Sequence, residues 1–274
     1  MIRLVATDLD GTLLHTDGSV SDRTRAALER AHAHGLQIVV TTGRPPRLVH
    51  PLAKRIGVAD IAICANGAIV VELATGKVLA HHPIAETVAY RLVEGLRRAL
   101  PGILFSLELG LDFAREPAYH STFQPPPAPR YADALELVRE PVTKLLARHP
   151  SAPFADVLAA ARRIGGDDAV STTAGGTVVE ISGAGVTKAS ALATLCAAEG
   201  IAPAAVIAFG DAPNDLALLA FAGRSVAVGN AHSEVLAAAD EVTASNDEDG
   251  VAQVLERLLA GAAAPAPPAA PAGR

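Results

Sequence analysis

Ile2-Arg3-Leu4-Val5-Ala6-Thr7 runs straight into Asp8-Leu9-Asp10-Gly11-Thr12. The first part is nearly continuously apolar, as strands covered on both faces are, and the glycine marks a turn at its end. Two carboxylates two residues apart at such a strand end can serve one reacting atom as nucleophile and proton donor. The same letters also describe an acidic surface turn, since Asp and Gly favour turns for backbone reasons.

Working outward, residues 37–41, 60–65 and 205–209 repeat the pattern of a short apolar run ending in polar or glycine residues. Between them lie helical stretches. Ser21 is placed to cap a helix through Ala26, Leu28 and Ala31 that stops at Gly35, while Pro45 and Pro46 open one that ends near Gly57. A second block reads as a helix over 187–199, a strand to Phe209, a helix over 214–222 and a short strand over 225–228. Alternating strands and helices of this kind build a parallel sheet with helices on both faces.

From about 83 to 185 the texture changes to alternating segments such as 103–109 and 177–181, with a proline-rich stretch at 124–130. This block reads as an inserted α+β domain, with a long extension of the same sheet as the alternative. Residues 261–274 are almost wholly Ala, Pro and Gly, and are expected to form a disordered tail because they cannot bury enough surface to fold.

Composition fits a globular α/β chain. Of 274 residues, 50% are hydrophobic but only 3% aromatic, which favours helices of small residues over an aromatic-rich β protein. A net charge of -6 argues against a nucleic-acid binder, which needs a basic footprint. An anionic small substrate stays open, since a bound divalent cation reverses the local sign. Cys64 and Cys196 make no disulfide framework and read as buried hydrophobes in a reducing compartment. With Asp8 and Asp10 where a signal peptide needs its apolar core, and no apolar run of membrane-spanning length, the expected location is the cytoplasm and no membrane partner is expected.

Ligands in parallel α/β sheets bind beyond the carboxyl ends of the strands, so the other strand ends test the opening motif. The second strand ends in Thr41-Thr42-Gly43-Arg44, whose hydroxyl, glycine NH and following helix start suit a phosphate; a threonine cap before a turn is the plainer reading. Gly210-Asp211-Ala212-Pro213-Asn214-Asp215 puts two carboxylates and an amide in one turn. With Asp8 and the Asp10 carbonyl, these are hard oxygen ligands for Mg²⁺; an acidic helix start explains one of them more easily than all. Lys188 opens a helix, the wrong end of the dipole for a cation, so it needs a phosphate or the Asp8 carboxylate as partner. The histidines lack companions at metal-site spacing and read as structural or surface residues.

Taken in order, Asp8-Leu9-Asp10-Gly11-Thr12, Thr42-Gly43-Arg44, Lys188 and Gly210-Asp211-x-x-Asn214-Asp215 resemble the four motifs of the haloacid dehalogenase-like superfamily. The chain looks most like its Cof-type phosphatases of subclass IIB, whose habits Asn66-Gly67-Ala68, Val228-Gly229-Asn230-Ala231 and the stretch 246–251 also match. The resemblance implies a Rossmann-like core over 1–82 and 186–260 and a substrate-selecting α+β cap over 83–185. It also implies a phosphatase of small phosphate esters, such as sugar phosphates or phosphorylated cofactors. In that reading Asp8 is the nucleophile and Asp10 the acid and base. Thr42, Gly43, Lys188 and Asn214 hold phosphate, and Asp8, Asp10, Asp211 and Asp215 hold or support Mg²⁺. Arg115, Tyr119 and His120 are candidates either for contact with the leaving group or for the rim of the site. Asp10 favours ester hydrolysis. A phosphomutase or phosphotransferase is the nearest rival, followed by a signalling phosphoacceptor and a catalytically idle scaffold. Oligomeric state stays open.

Overall fold

The computed structural model describes residues 1–120, 128–173 and 177–261. The tail expected at 261–274 therefore lies outside the described residues except for Gly261, as does most of the proline-rich stretch.

The first strand, β1 (Leu4–Asp8), is buried along its whole length. It sits at the middle of a sheet with β2 (Gln37–Thr41), β3 (Ile61–Cys64), β4 (Ile69–Glu72) and β5 (Val78–His81) on one side. A second set of strands, β6 (Leu104–Leu109), β7 (Asp112–Arg115), β8 (Arg130–Tyr131), β9 (Lys144–Arg148), β10 (Ala169–Thr172) and β11 (Val179–Gly183), forms a separate sheet in the order β10-β11-β9-β6-β7-β8. The chain then returns to the other side of β1 as β12 (Val206–Gly210), β13 (Arg224–Ala227) and β14 (Glu241–Val242). The first sheet is parallel from β14 to β3, and β4 and β5 add to its edge antiparallel.

Helices α1 (Asp22–Ala33), α2 (Pro46–Ile56), α6 (Lys188–Ala198), α7 (Leu216–Phe221), α8 (Ser233–Ala238) and α9 (Gly250–Gly261) cover the first sheet, while α3 (Glu86–Ala99), α4 (Ala134–Leu137) and α5 (Phe154–Gly165) belong with the second. Capping sets several starts. Ser21 accepts the NH of Thr24 before α1, and Thr187 and Ser190 form a reciprocal capping box before α6. In register, Asp8 lies beside Thr41 and Thr7 beside Phe209, so the ends of β1, β2 and β12 open onto one edge of the sheet.

Alternation in the second sheet gives it two unlike faces. Phe105, Leu107, Leu145, Ala147, Val179 and Ile181 pack with α3 and α5 in an apolar core of their own. Each large apolar side chain fully buried there contributes about 1.5–3 kcal/mol. Their neighbours Ser106, Glu108, Arg115, Lys144 and Glu180 point to the other side, as the two-residue period of a strand requires. That polar face turns toward the end of β1.

Candidate active site

Asp8 ends β1 with 5% of its surface exposed. Gly11 then turns the chain at φ +82, a backbone that L side chains rarely adopt, and a β-carbon there would lie 2.5 Å from Asp211 Oδ2. The loop after it is held by amides. Asn230 Nδ2 donates to the Gly11 carbonyl at 2.8 Å, and Asn246 Nδ2 to the Leu14 carbonyl at 2.8 Å. Thr12 Oγ1 donates to Asp211 Oδ1 at 2.8 Å, which fixes the β12 loop against the β1 loop.

Lys188, 1% exposed, reaches both carboxylates behind this loop: its Nζ lies 2.5 Å from Asp8 Oδ1 and 2.6 Å from Asp215 Oδ1. Asp215 Oδ2 accepts the backbone NH groups of Asp211 and Ala212 at 3.2 and 3.1 Å. The misplaced cation at the start of α6 thus has its partner. Burial pushes the Lys188 ammonium down, but Asp215 and Asp8 outweigh it and hold it above its ordinary value. Asp8 is raised well above the usual carboxylate range, first by burial and then by Asp215 and Asp211 against the opposing Lys188. Asp211 is pushed up to about 6, mainly by burial.

Asp8, Asp211 and Asp215 each bring a carboxylate oxygen within 4.8 Å of the others. Three carboxylates against one ammonium leave the cluster short of positive charge, a deficit that adds to the burial raising Asp8. A hard divalent cation fits: its preferred donors are carboxylate and carbonyl oxygens, and its charge removes the deficit.

At the end of β2, Thr42 is fully buried and its Oγ1 accepts the NH of Arg44 at 3.0 Å. Arg44 in turn grips both carboxylate oxygens of Asp10, with its Nε 2.7 Å from Oδ2. Asn66, buried and held at φ 58, ties two elements together. Its Nδ2 donates to Glu180 Oε2 at 2.5 Å, and its Oδ1 accepts Asn214 Nδ2 at 3.1 Å. Asn214 Oδ1 is buried without a hydrogen-bond partner among the described residues.

Between the strand ends and the polar face of the second sheet lies a cavity of about 340 Å³, within the range of small-ligand sites. Asp8, Asp10, Gly43 and Asn214 line its floor. Ion pairs between Arg47 and Glu108, and between Lys144 and Glu180 at 3.0 Å, span its walls.

The sequence profile of the haloacid dehalogenase-like hydrolases matches residues 5–255. The chain belongs to this family. It is 27% identical over 258 residues to a 5-amino-6-(5-phospho-D-ribitylamino)uracil phosphatase of Bacillus subtilis, covering 94% of this chain and 96% of that one. With a pyridoxal phosphate phosphatase of Escherichia coli it shares 28% identity over 268 residues, 92% of this chain and 97% of the relative. A solved haloacid dehalogenase-superfamily phosphatase from Bacteroides thetaiotaomicron superposes with a TM-score of 0.79 at 26% identity, covering 94% of this chain and 95% of the other.

In this haloacid dehalogenase-like hydrolase, Asp8, Asp10, Gly43 and Asn214 reach the cavity, while Lys188, Asp211 and Asp215 stand beside or beneath Asp8. Thr42 is enclosed behind Gly43. Arg115 and Tyr119 line the cavity, but His120 is exposed and does not, its carbonyl accepting from Arg148 at 2.7 Å. Sequence reasoning passed over Arg47, Glu108, Lys144 and Glu180, and the side-chain roles of Arg44 and Asn66. For Glu108, Lys144 and Glu180 the signal is a charged residue at alternate positions of otherwise apolar strands, while Arg47 on α2, Arg44 and Asn66 carry no such pattern. Among the described residues, no helix is long and apolar enough to cross a membrane.

Proposed function

We propose that this chain hydrolyses phosphate monoesters of small molecules through an aspartyl phosphate on Asp8. The observation that carries the proposal is the Asp8 carboxylate at the cavity floor, paired with Lys188, with Asp10 two residues further on. Asp8 attacks phosphorus, and the bond from phosphorus to the ester oxygen breaks. Asp10 gives its proton to the departing oxygen, then takes one from the water that cleaves the aspartyl phosphate, returning Asp8 and inorganic phosphate. Because Arg44 holds both Asp10 oxygens, that pair has to open when an ester enters.

Lys188, the Gly43 NH and the Thr42 hydroxyl offset and position the phosphoryl oxygens, and Asn214 orients the loop beside them. Asp8, Asp211 and the Asp10 carbonyl are the proposed ligands of Mg²⁺, which when bound supplies charge stabilisation to the transferring group. Asp215, with both oxygens already engaged by Lys188 and backbone NH groups, supports this shell.

Residues 83–185 act in this reading as a cap that closes the cavity and selects the ester, with 1–82 and 186–260 as the catalytic core. Two buried free cysteines agree with a cytoplasmic location. The test is phosphate release from a panel of monoesters with Mg²⁺, for wild type and Asp8→Asn. Release by wild type and its loss in the variant is the expected result, and undiminished hydrolysis by Asp8→Asn would overturn the nucleophile. A product that is an isomeric phosphate rather than free phosphate would instead identify a mutase.

A further inference from the structure

We infer that the phosphate ester this site accepts carries a second anionic group, a carboxylate or another phosphate, which Arg115 receives at the cap side of the cavity. This deepens the phosphatase reading and rests on it. Of the cations lining the cavity, Arg44 is paired with Asp10, Arg47 with Glu108 and Lys144 with Glu180. Arg115 alone has no carboxylate within ion-pairing distance among the described residues, and residues 121–127 and 174–176 contain no Asp or Glu.

Arg115 is nevertheless 3% exposed, and its Nε is buried without a hydrogen-bond partner among the described residues. A guanidinium cannot shed its charge at any ordinary pH, so burial without a counter-ion is unfavourable unless something else brings the negative charge. Tyr119 does not supply it, because burial pushes the phenol up and keeps it neutral. Both arginines lie against the ring of Phe113, whose centroid is 3.9 Å from Arg47 and 5.4 Å from Arg115. An arginine steadied against an aromatic ring keeps its edge donors for an anion, and their fork matches carboxylate or phosphate.

The register separates this charge from the transferring phosphoryl group. Glu108 stands opposite Lys144 and Phe113, and Lys144 donates to the Gly43 carbonyl. Arg115 lies opposite Ser106, one row along the sheet, roughly 7 Å further on by strand geometry. An ester with its two anions at opposite ends of a short carbon chain spans that distance.

The experiment compares kcat/KM of the wild-type enzyme with Mg²⁺ for glucose 6-phosphate, 6-phosphogluconate and a hexose bisphosphate, which share one phosphoryl group and differ in the second anion. At least tenfold preference for either ester with a second anion is expected, and which one leads tells carboxylate from phosphate. Arg115→Gln should collapse the ratio toward one, and Arg115→Lys should keep part of it. Equal use of glucose 6-phosphate by wild type, or a preference unchanged in Arg115→Gln, overturns the inference. Calorimetric affinities of Asp8→Asn for the same three esters separate the two readings. A preference in binding without turnover by wild type removes the phosphatase reading and leaves the second-anion site standing, whereas no preference in binding or turnover removes the site.

Discussion

The ammonium of Lys144, on a middle strand of the cap sheet, donates to the backbone carbonyl of Gly43 at 2.5 Å, in the turn whose NH faces the proposed phosphate site. The same ammonium pairs with Glu180, which holds Asn66 and through it Asn214. Cap position and phosphate turn are therefore set together. Lys144→Met is expected to raise KM and lower kcat, with kcat/KM falling by about 10- to 100-fold, because small misplacements of a binding turn are costly. Steady-state kinetics check it, with the far-ultraviolet spectrum unchanged. A variant as active as wild type would show that the contact plays no part in closure.

Gly11 answers to two constraints at once, a positive φ and the approach of Asp211 Oδ2 to the place of a β-carbon. Gly11→Ala should push the Asp211 carboxylate away and raise the Mg²⁺ concentration for half-maximal activity by about tenfold or more, since a supporting contact of a ligand carries that much affinity. Titrating activity against Mg²⁺ reads this directly, and an unchanged midpoint would contradict it.

Removing Lys188 leaves Asp8 and Asp215 buried without their cation. Lys188→Met is expected to abolish phosphate release and to destabilise the metal-free fold by about 3–5 kcal/mol, as breaking a buried pair does. Added Mg²⁺ should recover part of the loss, because the cation repairs the same charge deficit. Thermal unfolding in chelator and in excess Mg²⁺ separates the two states. A variant as stable as wild type in chelator would mean that the ion pairs of Lys188 add nothing to the metal-free fold.

The core was legible because its signals are local. Residues 37–41 form β2 with the bounds that their apolar run suggested, Ser21 caps the helix that follows it, and the helix read over 187–199 forms over Lys188–Ala198 with Thr187 as its cap. Lys188 was legible through its misfit with the helix dipole, although Asp215 as its second partner was not. The expected helix over 214–222 begins as a 3₁₀ turn at Pro213–Asp215, because Asp215 turns inward to Lys188 and two NH groups. Strands β4 and β5, antiparallel on the edge of a parallel sheet, had no sequence signal beyond short apolar runs. The cavity wall stayed hidden for a different reason: Glu108, Lys144 and Glu180 are far apart in sequence, and only strand register puts them on one face.

At the far edge of the core sheet, Glu241 of β14 lies between Arg224 at 2.6 Å and Arg257 at 2.5 Å. The hydrogen bond from Arg224 holds its carboxyl below the usual range, with Arg257 adding to the effect against partial burial. A lowered folded-state value means that the unfolded chain takes up the proton first as pH falls. The pair's contribution is therefore complete above the ordinary glutamate value of about 4.3 and disappears as pH drops through the lower folded value. Glu241→Gln should cost about 1 kcal/mol near neutral pH, the upper end for a partly exposed pair with good geometry, and progressively less as pH falls below the ordinary glutamate value. Urea midpoints of both proteins across that interval check the sign. A gap that stayed constant with pH would assign the loss to packing rather than to charge.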